Sequence, residues 1–436
     1  MSATAQQAAA PADRWYVLGL LTLIYALNIA DRFCISTFLE PIRLELHLSD
    51  GGVAFLTGVS LALFYVTIGI PVAVLADRAD RSKILAVSLA LWSGMTALCG
   101  VARNYGQLLV CRFGVGIGEA GGTPSSMSIL ADKFPVVRRP MAMTIFALGA
   151  SLGAWIGSSI AGTIAEQRGW RAGFVALGIP GLLVALTAFL TVREPARGQL
   201  DPDAPPLERI TLPRALKIIA KRRSVLHLLI GGAVATLWSW GLIWWMPTFL
   251  QRSHHMSVGR AGELLGSMHL IAGTSGTLFA GWLMSRPAAA DSRYIARLLA
   301  AVTAIATVPS IALLLVRSDE MVTALLWVLM PAVYFYIGPV LGLLQNAVPS
   351  NLRATVCAML MFTANVANLV VAPQVVGWLS DWFSTLFALQ TESLRWALVV
   401  LAPSGFWAAW HLWVSGATIR EDQRAASGPG ACESTR

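Results

Sequence analysis

Charge is scarce in this sequence. Asp, Glu, Lys and Arg make up 13% of 436 residues against 56% hydrophobic, and the mean hydropathy is +0.65. Soluble domains carry about 25% charged residues, so the composition is that of an integral membrane protein. Cysteine is sparse too. The five cysteines, Cys34, Cys99, Cys111, Cys357 and Cys432, show no metal-ligand spacing and four fall in apolar segments, which argues against a disulfide framework. No Walker sequence, nucleophile elbow or metal cluster occurs, so no catalytic residue, cofactor or metal is expected, and an ATP-driven pump has no nucleotide-binding segment to use. Residues 1–14 lack an apolar core and a cleavage site, which argues against a removed signal peptide and keeps residue 1 in the cytosol.

What is present is apolar sequence with a few conspicuous interruptions. The stretch Arg112-Phe-Gly-Val-Gly-Ile-Gly-Glu119 sets an arginine and a glutamate into a segment of membrane-spanning length. Seven residues apart is two helical turns, so both project from one face. Gly114, Gly118 and Gly122 recur every fourth residue and leave a strip along which another helix can approach closely. Ionisable groups in hydrocarbon cost roughly 2.5–3.5 kcal/mol each on insertion scales and face a bundle interior or wet cavity. This helix is therefore expected to line a pathway. Gly114-Val-Gly-Ile-Gly118 mimics part of a dinucleotide fingerprint, but inside a membrane helix its spacing serves packing.

Windows of about 20 apolar residues give twelve spans, at 15–38, 53–76, 83–102, 105–131, 139–163, 171–192, 224–250, 258–285, 294–316, 321–347, 354–380 and 394–417. Most of the 32 Lys and Arg fall on one side of that arrangement, which by the positive-inside rule is the cytoplasm and holds both termini. The net charge of +9 then reflects loop topology, and no basic stripe with interleaved aromatics calls for nucleic acid. The expected organisation is a tail over 1–14, a six-helix bundle over 15–192, a basic connector over 193–223, a second bundle over 224–417 and a tail over 418–436. Pro135-Val-Val-Arg138-Arg139 and Pro349-Ser-Asn-Leu-Arg353 are counterparts in a weak internal repeat, as in transporters built from two six-helix halves with a midplane site.

The loop Asp77-Arg78-Ala79-Asp80-Arg81-Ser82-Lys83 resembles the signature loop of the major facilitator superfamily, with Ala73 and Asp80 in place of its two glycines. Gly149-Ala-Ser-Leu-Gly153-Ala-Trp-Ile-Gly157 resembles that superfamily's glycine-rich motif, without its usual proline. Within the superfamily the chain is similar to the Spinster branch. That likeness rests on Leu27-Asn28-Ile-Ala-Asp31-Arg32-Phe33, His47-Leu-Ser49-Asp50, Arg112-x-x-x-Gly-x-Gly-Glu119-Ala and Arg193-Glu194-Pro195-Ala-Arg197-Gly198. The resemblance implies an all-helical fold of two six-helix bundles and proton-coupled movement of amphipathic lipids such as lysophospholipids or sphingosine-1-phosphate. The anion:cation symporter branch shares an Asp-Arg in the first helix and a Gly-Glu-Ala in the fourth, so a small organic anion is the competing substrate.

Position along antiparallel helices puts Asp31 and Arg112 in the same outer half of the membrane, where they could pair. Asp31, Arg32, Arg112 and Glu119 all lie in the first half, so proton handling is expected there, with Glu119 and Asp31 as the coupling acids. A static ion-pair network that only locks helices is the plainer reading. For Asp77, Arg78 and Arg81 a cytoplasmic latch competes with a solvated positive-inside loop. In the second half, Trp238, Trp240 and Tyr334 are expected to form an apolar wall, while Trp244 and Trp245 near the outer end suit the interfacial belt. Asn365, Asn368 and His269 are candidate cavity groups, although a lone histidine is more often a satisfied core residue. The expected partners are a small amphipathic substrate, protons and membrane lipid, for a monomer in the plasma (inner) membrane that is not an enzyme.

Overall fold

The computed structural model describes residues 12–196, 212–287, 291–387 and 389–427, and among them no strand occurs. Residues 1–11 of the expected N-terminal tail, 197–211 of the connector and 428–436 of the C-terminal tail lie outside the described residues.

The first expected span is α1 (Arg14–Leu46), which continues past Pro41 and ends where His47 turns left-handed at φ 53° and its N–H closes onto the Arg43 carbonyl. The second is α2 (Asp50–Thr57) and α3 (Val59–Arg78), parted at Gly58. The third, α4 (Arg81–Cys99), begins on Asp80, whose side chain accepts the Lys83 N–H. The fourth differs from the uninterrupted helix expected over 105–131, because α5 (Tyr105–Glu119) stops and α6 (Gly122–Lys133) restarts. Pro124 has no N–H for the Ala120 carbonyl, and two glycines precede it. Glu119 therefore closes α5 and lies at a break.

The fifth span is α7 (Arg139–Trp155), a π-helical turn over Ile156–Ile160, and α8 (Ala161–Arg168); the sixth is α9 (Trp170–Thr191). Inside the connector a short amphipathic helix, α10 (Leu212–Ala220), precedes α11 (Arg223–Ser253). The eighth span is α12 (Val258–Met268), a π-turn over His269–Gly273, and α13 (Thr274–Met284). Then come α14 (Ser292–Leu315), α15 (Asp319–Phe335) and α16 (Ile337–Asn346). The eleventh is α17 (Arg353–Asn365), a π-turn over Val366–Val371, and α18 (Ala372–Phe387), and the chain ends in α19 (Ser393–Leu401) and α20 (Ser404–Ser427). Among the described residues nine helices are long and apolar enough to cross a membrane. The second, fourth and eighth expected spans are not among these nine.

By contacts the chain forms two compact units. The first comprises Met1–Leu48, Phe55–Pro205 and Met256–Leu270; the second comprises Ser49–Ala54, Pro206–His255 and Ile271–Arg436. In the first unit α4 packs on α9 and α5, and α1 packs on α7. Gly149, Gly153 and Gly157 let α7 lie backbone-to-backbone on α1, since a Cβ at these positions would meet the carbonyls of Thr22, Ala26 and Ala30. On α5 and α6, Gly118 meets the α4 backbone at Trp92 and Ser88, while Gly114 and Gly122 make room for the Met95 and Trp92 side chains. In the second unit α11 packs on α20, and α20 on α14, around a core that includes Leu228, Leu299 and Leu412.

Candidate functional site: a buried ion-pair cluster

Four charged side chains converge between α1 and α5. Arg112 donates Nη1 to Asp31 Oδ2 at 2.7 Å, with side-chain exposures of 0% and 3%. One residue on, Arg32 donates Nε and Nη2 to Glu119 Oε2 at 3.0 and 2.6 Å. The expected pairing of Asp31 with Arg112 is observed, and the two arginines and two acids balance. Thr96 on α4 donates to Asp31 Oδ1, so both carboxylate oxygens are engaged. Thr96 escapes sequence reasoning because hydroxyls are ordinary in membrane helices.

The cluster is incompletely satisfied. Nε and Nη2 of Arg112 and Oε1 of Glu119 are buried without a hydrogen-bond partner, a costly state in a low-dielectric interior. Such atoms suit a site whose pairings change during its work. The first unit also holds His269, 1% exposed and edge-on to Phe33 at 4.7 Å, which is the environment of a core histidine.

At the other end of α4, Arg81 is almost wholly buried. It donates Nε to Glu194 at 2.6 Å, Nη1 to Asp132 at 2.6 Å and to Ser128 at 2.7 Å, and Nη2 to the Pro195 carbonyl at 3.2 Å. The Arg81 of the signature loop thus ties α4 to α6 and to the segment after α9. Asp77 and Arg78 end α3, and their side chains lie outside the described residues.

The second unit carries the aromatic residues expected to form the wall. Trp240 lies 5.9 Å from Tyr334 and 6.0 Å from Trp244, centroid to centroid, and Trp244 Nε1 donates to Asn368 on the π-turn after α17. Trp240, Tyr334, Asn365 and Asn368 are half-buried. Trp238 departs from the expected wall. It is 1% exposed, donates Nε1 to Ser310 on α14 at 3.1 Å and packs on Gly405, on the side of α11 away from Trp240. Trp244 and Trp245 are not belt residues either. Both are buried, and Trp245 donates to the Pro373 carbonyl. The reason is that α11 is covered by α16–α20, so that every residue from 241 to 250 is buried.

A further network escaped the sequence. Arg252 at the end of α11 grips Asp50 at the start of α2 with two hydrogen bonds, of 2.8 and 2.5 Å. Ser380 donates to the same Asp50 carboxylate, while Asp381 accepts the backbone N–H groups of Asp50 and Gly51 at 2.8 Å each. Asp50 drew notice only within the His47-Leu-Ser49-Asp50 likeness, and because charges at helix ends are commonplace its partners did not stand out.

This helical architecture and its charged α1–α5 core meet a sequence profile described as Major Facilitator Superfamily, which matches residues 21–372. The chain belongs to the major facilitator superfamily. The transporter is similar to an MFS-type efflux pump of Mycolicibacterium smegmatis (32% identity, covering 94% of this chain and 95% of that one). It is also similar to the sphingosine-1-phosphate transporter SPNS2 of Danio rerio (25%; 88% and 80%) and to a "Probable L-galactonate transporter" of Escherichia coli K12 (24%; 87% and 85%). Among solved structures it resembles a bacterial homolog of the human lysosomal transporter Spinster in an inward-facing, unoccupied conformation, with TM-score 0.84, 29% identity and coverage of 97% and 100%. The transporter is thus a multi-pass membrane protein similar to Spinster proteins.

Proposed function

We propose that the transporter is a proton-coupled secondary carrier of an amphipathic, lipid-like substrate, working by alternating access. In this reading it sits in the plasma (inner) membrane as a monomer with both termini in the cytoplasm. The observation that carries the reading is the neutral cluster of Asp31, Arg112, Arg32 and Glu119, buried and with unsatisfied atoms on Arg112 and Glu119. A proton on Glu119 weakens its hold on Arg32, and a proton on Asp31 weakens its hold on Arg112 and Thr96. Each protonation frees a cation for a polar head group. The half-buried, uncharged Trp240 and Tyr334 suit an apolar body. An anion symporter would more naturally keep uncompensated positive charge, and here both arginines are matched by acids.

The similarity to a probable L-galactonate transporter favours a second reading, in which the substrate is a small organic carboxylate. Thermal-shift binding with the purified transporter separates the two. Stabilisation by a lysophospholipid and not by galactonate or glucarate is expected, and the reverse pattern would establish the carboxylate reading. The Asp77 to Arg81 loop is read as a cytoplasmic latch, with Arg81 anchoring it to Asp132 and Glu194.

A further inference from the structure

The antiparallel register of α4 and α5 brings two cysteines together. Gly118 faces Trp92 and Gly114 faces Met95. Carried one turn further, the same register sets Cys111 opposite Cys99, side chain facing side chain. Cys99 is fully buried, whereas Cys111 is half-buried and lines a cleft with Leu98, Val101, Ala102, Arg103 and Gln107. One thiol of the pair is reachable and the other is not.

We propose that Cys99 and Cys111 are a redox site, closed into a disulfide by an external disulfide donor. Cys111, as thiolate, attacks one sulfur of a donor R–S–S–R and expels R–S⁻. Cys99, losing its proton, then attacks Sγ of Cys111 in the mixed disulfide and expels the second R–S⁻. The two cysteines lose two electrons and two protons, and the donor is reduced to two thiols. In the topology read from the loops, the α4–α5 turn faces the outer compartment, where disulfides form and persist.

The place of the pair gives the bond a consequence. Cys111 precedes Arg112, and Cys99 lies one turn beyond Thr96; Arg112 and Thr96 are the two side chains that hold the Asp31 carboxylate. A covalent link there fastens α4 to α5 at the level of the ion-pair cluster and holds those two donors in fixed relation. If Asp31 must exchange partners during the cycle, the oxidised transporter is arrested. The cross-link does not depend on the transport reading, but its effect on flux does.

The test is oxidation of the purified transporter with oxidised glutathione, followed by denaturing alkylation with a maleimide and peptide mass analysis. We expect two fewer alkylations, a linked peptide pair containing Cys99 and Cys111, and a several-fold loss of lysophospholipid flux in proteoliposomes that dithiothreitol restores. Cys99→Ser and Cys111→Ser should transport at the reduced wild-type rate and lose the oxidation response. Glutathione retained on Cys111 with Cys99 still alkylated, or linked protein that transports at the reduced rate, would overturn the proposal. Reduced wild type that moves no lysophospholipid would count against the transport reading alone, and the cross-link would still be decided by mass.

Discussion

Arg112 and Glu119 lie on one face of α5 yet take separate partners on α1, Arg112 holding Asp31 at 2.7 Å while Glu119 is held by Arg32. Adjacent residues of α1 thereby answer both charges of α5 with opposite sign. Removing one member leaves its partner buried and unpaired, a loss of about 3–5 kcal/mol. Arg112→Ala should accordingly lower the thermal unfolding temperature more than Arg112→Ala combined with Asp31→Asn, as read by calorimetry in detergent. Equal losses would mean that the pair carries no coupling.

The network around Asp50 predicts a local effect. Asp381 accepts the N–H groups of Asp50 and Gly51, and hydrogen bonds to a charged group contribute about 1.5–3 kcal/mol. Asp381→Ala should therefore speed hydrogen exchange at the start of α2 by roughly tenfold or more, with α4 and α9 unaffected. Unchanged exchange at residues 50 and 51 would sink the assignment of these bonds as the hold on that segment.

The legibility of this chain in its sequence divides along physical lines. A charge in hydrocarbon is conspicuous, so Asp31, Arg112 and Glu119 could be singled out, and a helical period places Arg112 and Glu119 on one face. Which residue of α1 lies opposite each depends on how α1 and α5 pack, and that is not a local property. The glycine strips were readable because only packing explains a four-residue spacing of residues without side chains. The joining of Asp50 to Arg252 and Asp381 was not, because charged residues at helix ends need no special reason. Trp244 and Trp245 were misplaced because nearness to a helix end suggests the interface, whereas burial depends on how completely α16–α20 cover α11.

Trp238 and Trp240 differ by two positions and should differ in kind when changed. Trp238→Ala opens a cavity against Ser310 and Gly405, at about 3–5 kcal/mol of stability. Trp240→Ala touches a half-buried ring and should leave the unfolding temperature close to wild type. Its effect should fall on substrate, weakening long-chain lysophospholipids by about 1.5 kcal/mol or more and short-chain analogues less. Titration of a chain-length series against both variants measures this, and equal losses for long and short chains would exclude the wall.

One ion pair near the ends of α14 and α20 should be silent in the physiological range. Arg420 hydrogen-bonds the Asp291 carboxylate, which lowers its pKa below the ordinary 3.8. A lowered folded value means that the pair's contribution is fully present above about pH 3.8 and is lost as pH falls through the folded value. The pair is exposed, so salt screens it. Arg420→Gln should leave the pH profile of transport between pH 5 and 8 unchanged. A displaced profile would show that the carrier's pH dependence reaches outside the membrane cluster.

The remaining prediction concerns Glu119. Its carboxylate closes α5 at the Ala120–Gly121 break, accepts Arg32 on Oε2 and leaves Oε1 buried without a partner. A static lock would fill that lone pair, whereas a group that exchanges a proton has reason to leave it open. A coupling acid must interact differently with its surroundings in two conformations, and a change of one pKa unit between them supplies about 1.4 kcal/mol. Glu119→Gln keeps the shape of the neutral acid and removes the exchange. The variant should fold, retain substrate binding by thermal shift and fail to accumulate substrate in proteoliposomes under an imposed pH gradient. Wild-type accumulation by Glu119→Gln would show that Glu119 is not the coupling acid. Asp31 would then take its place by position, as the other buried acid of the cluster.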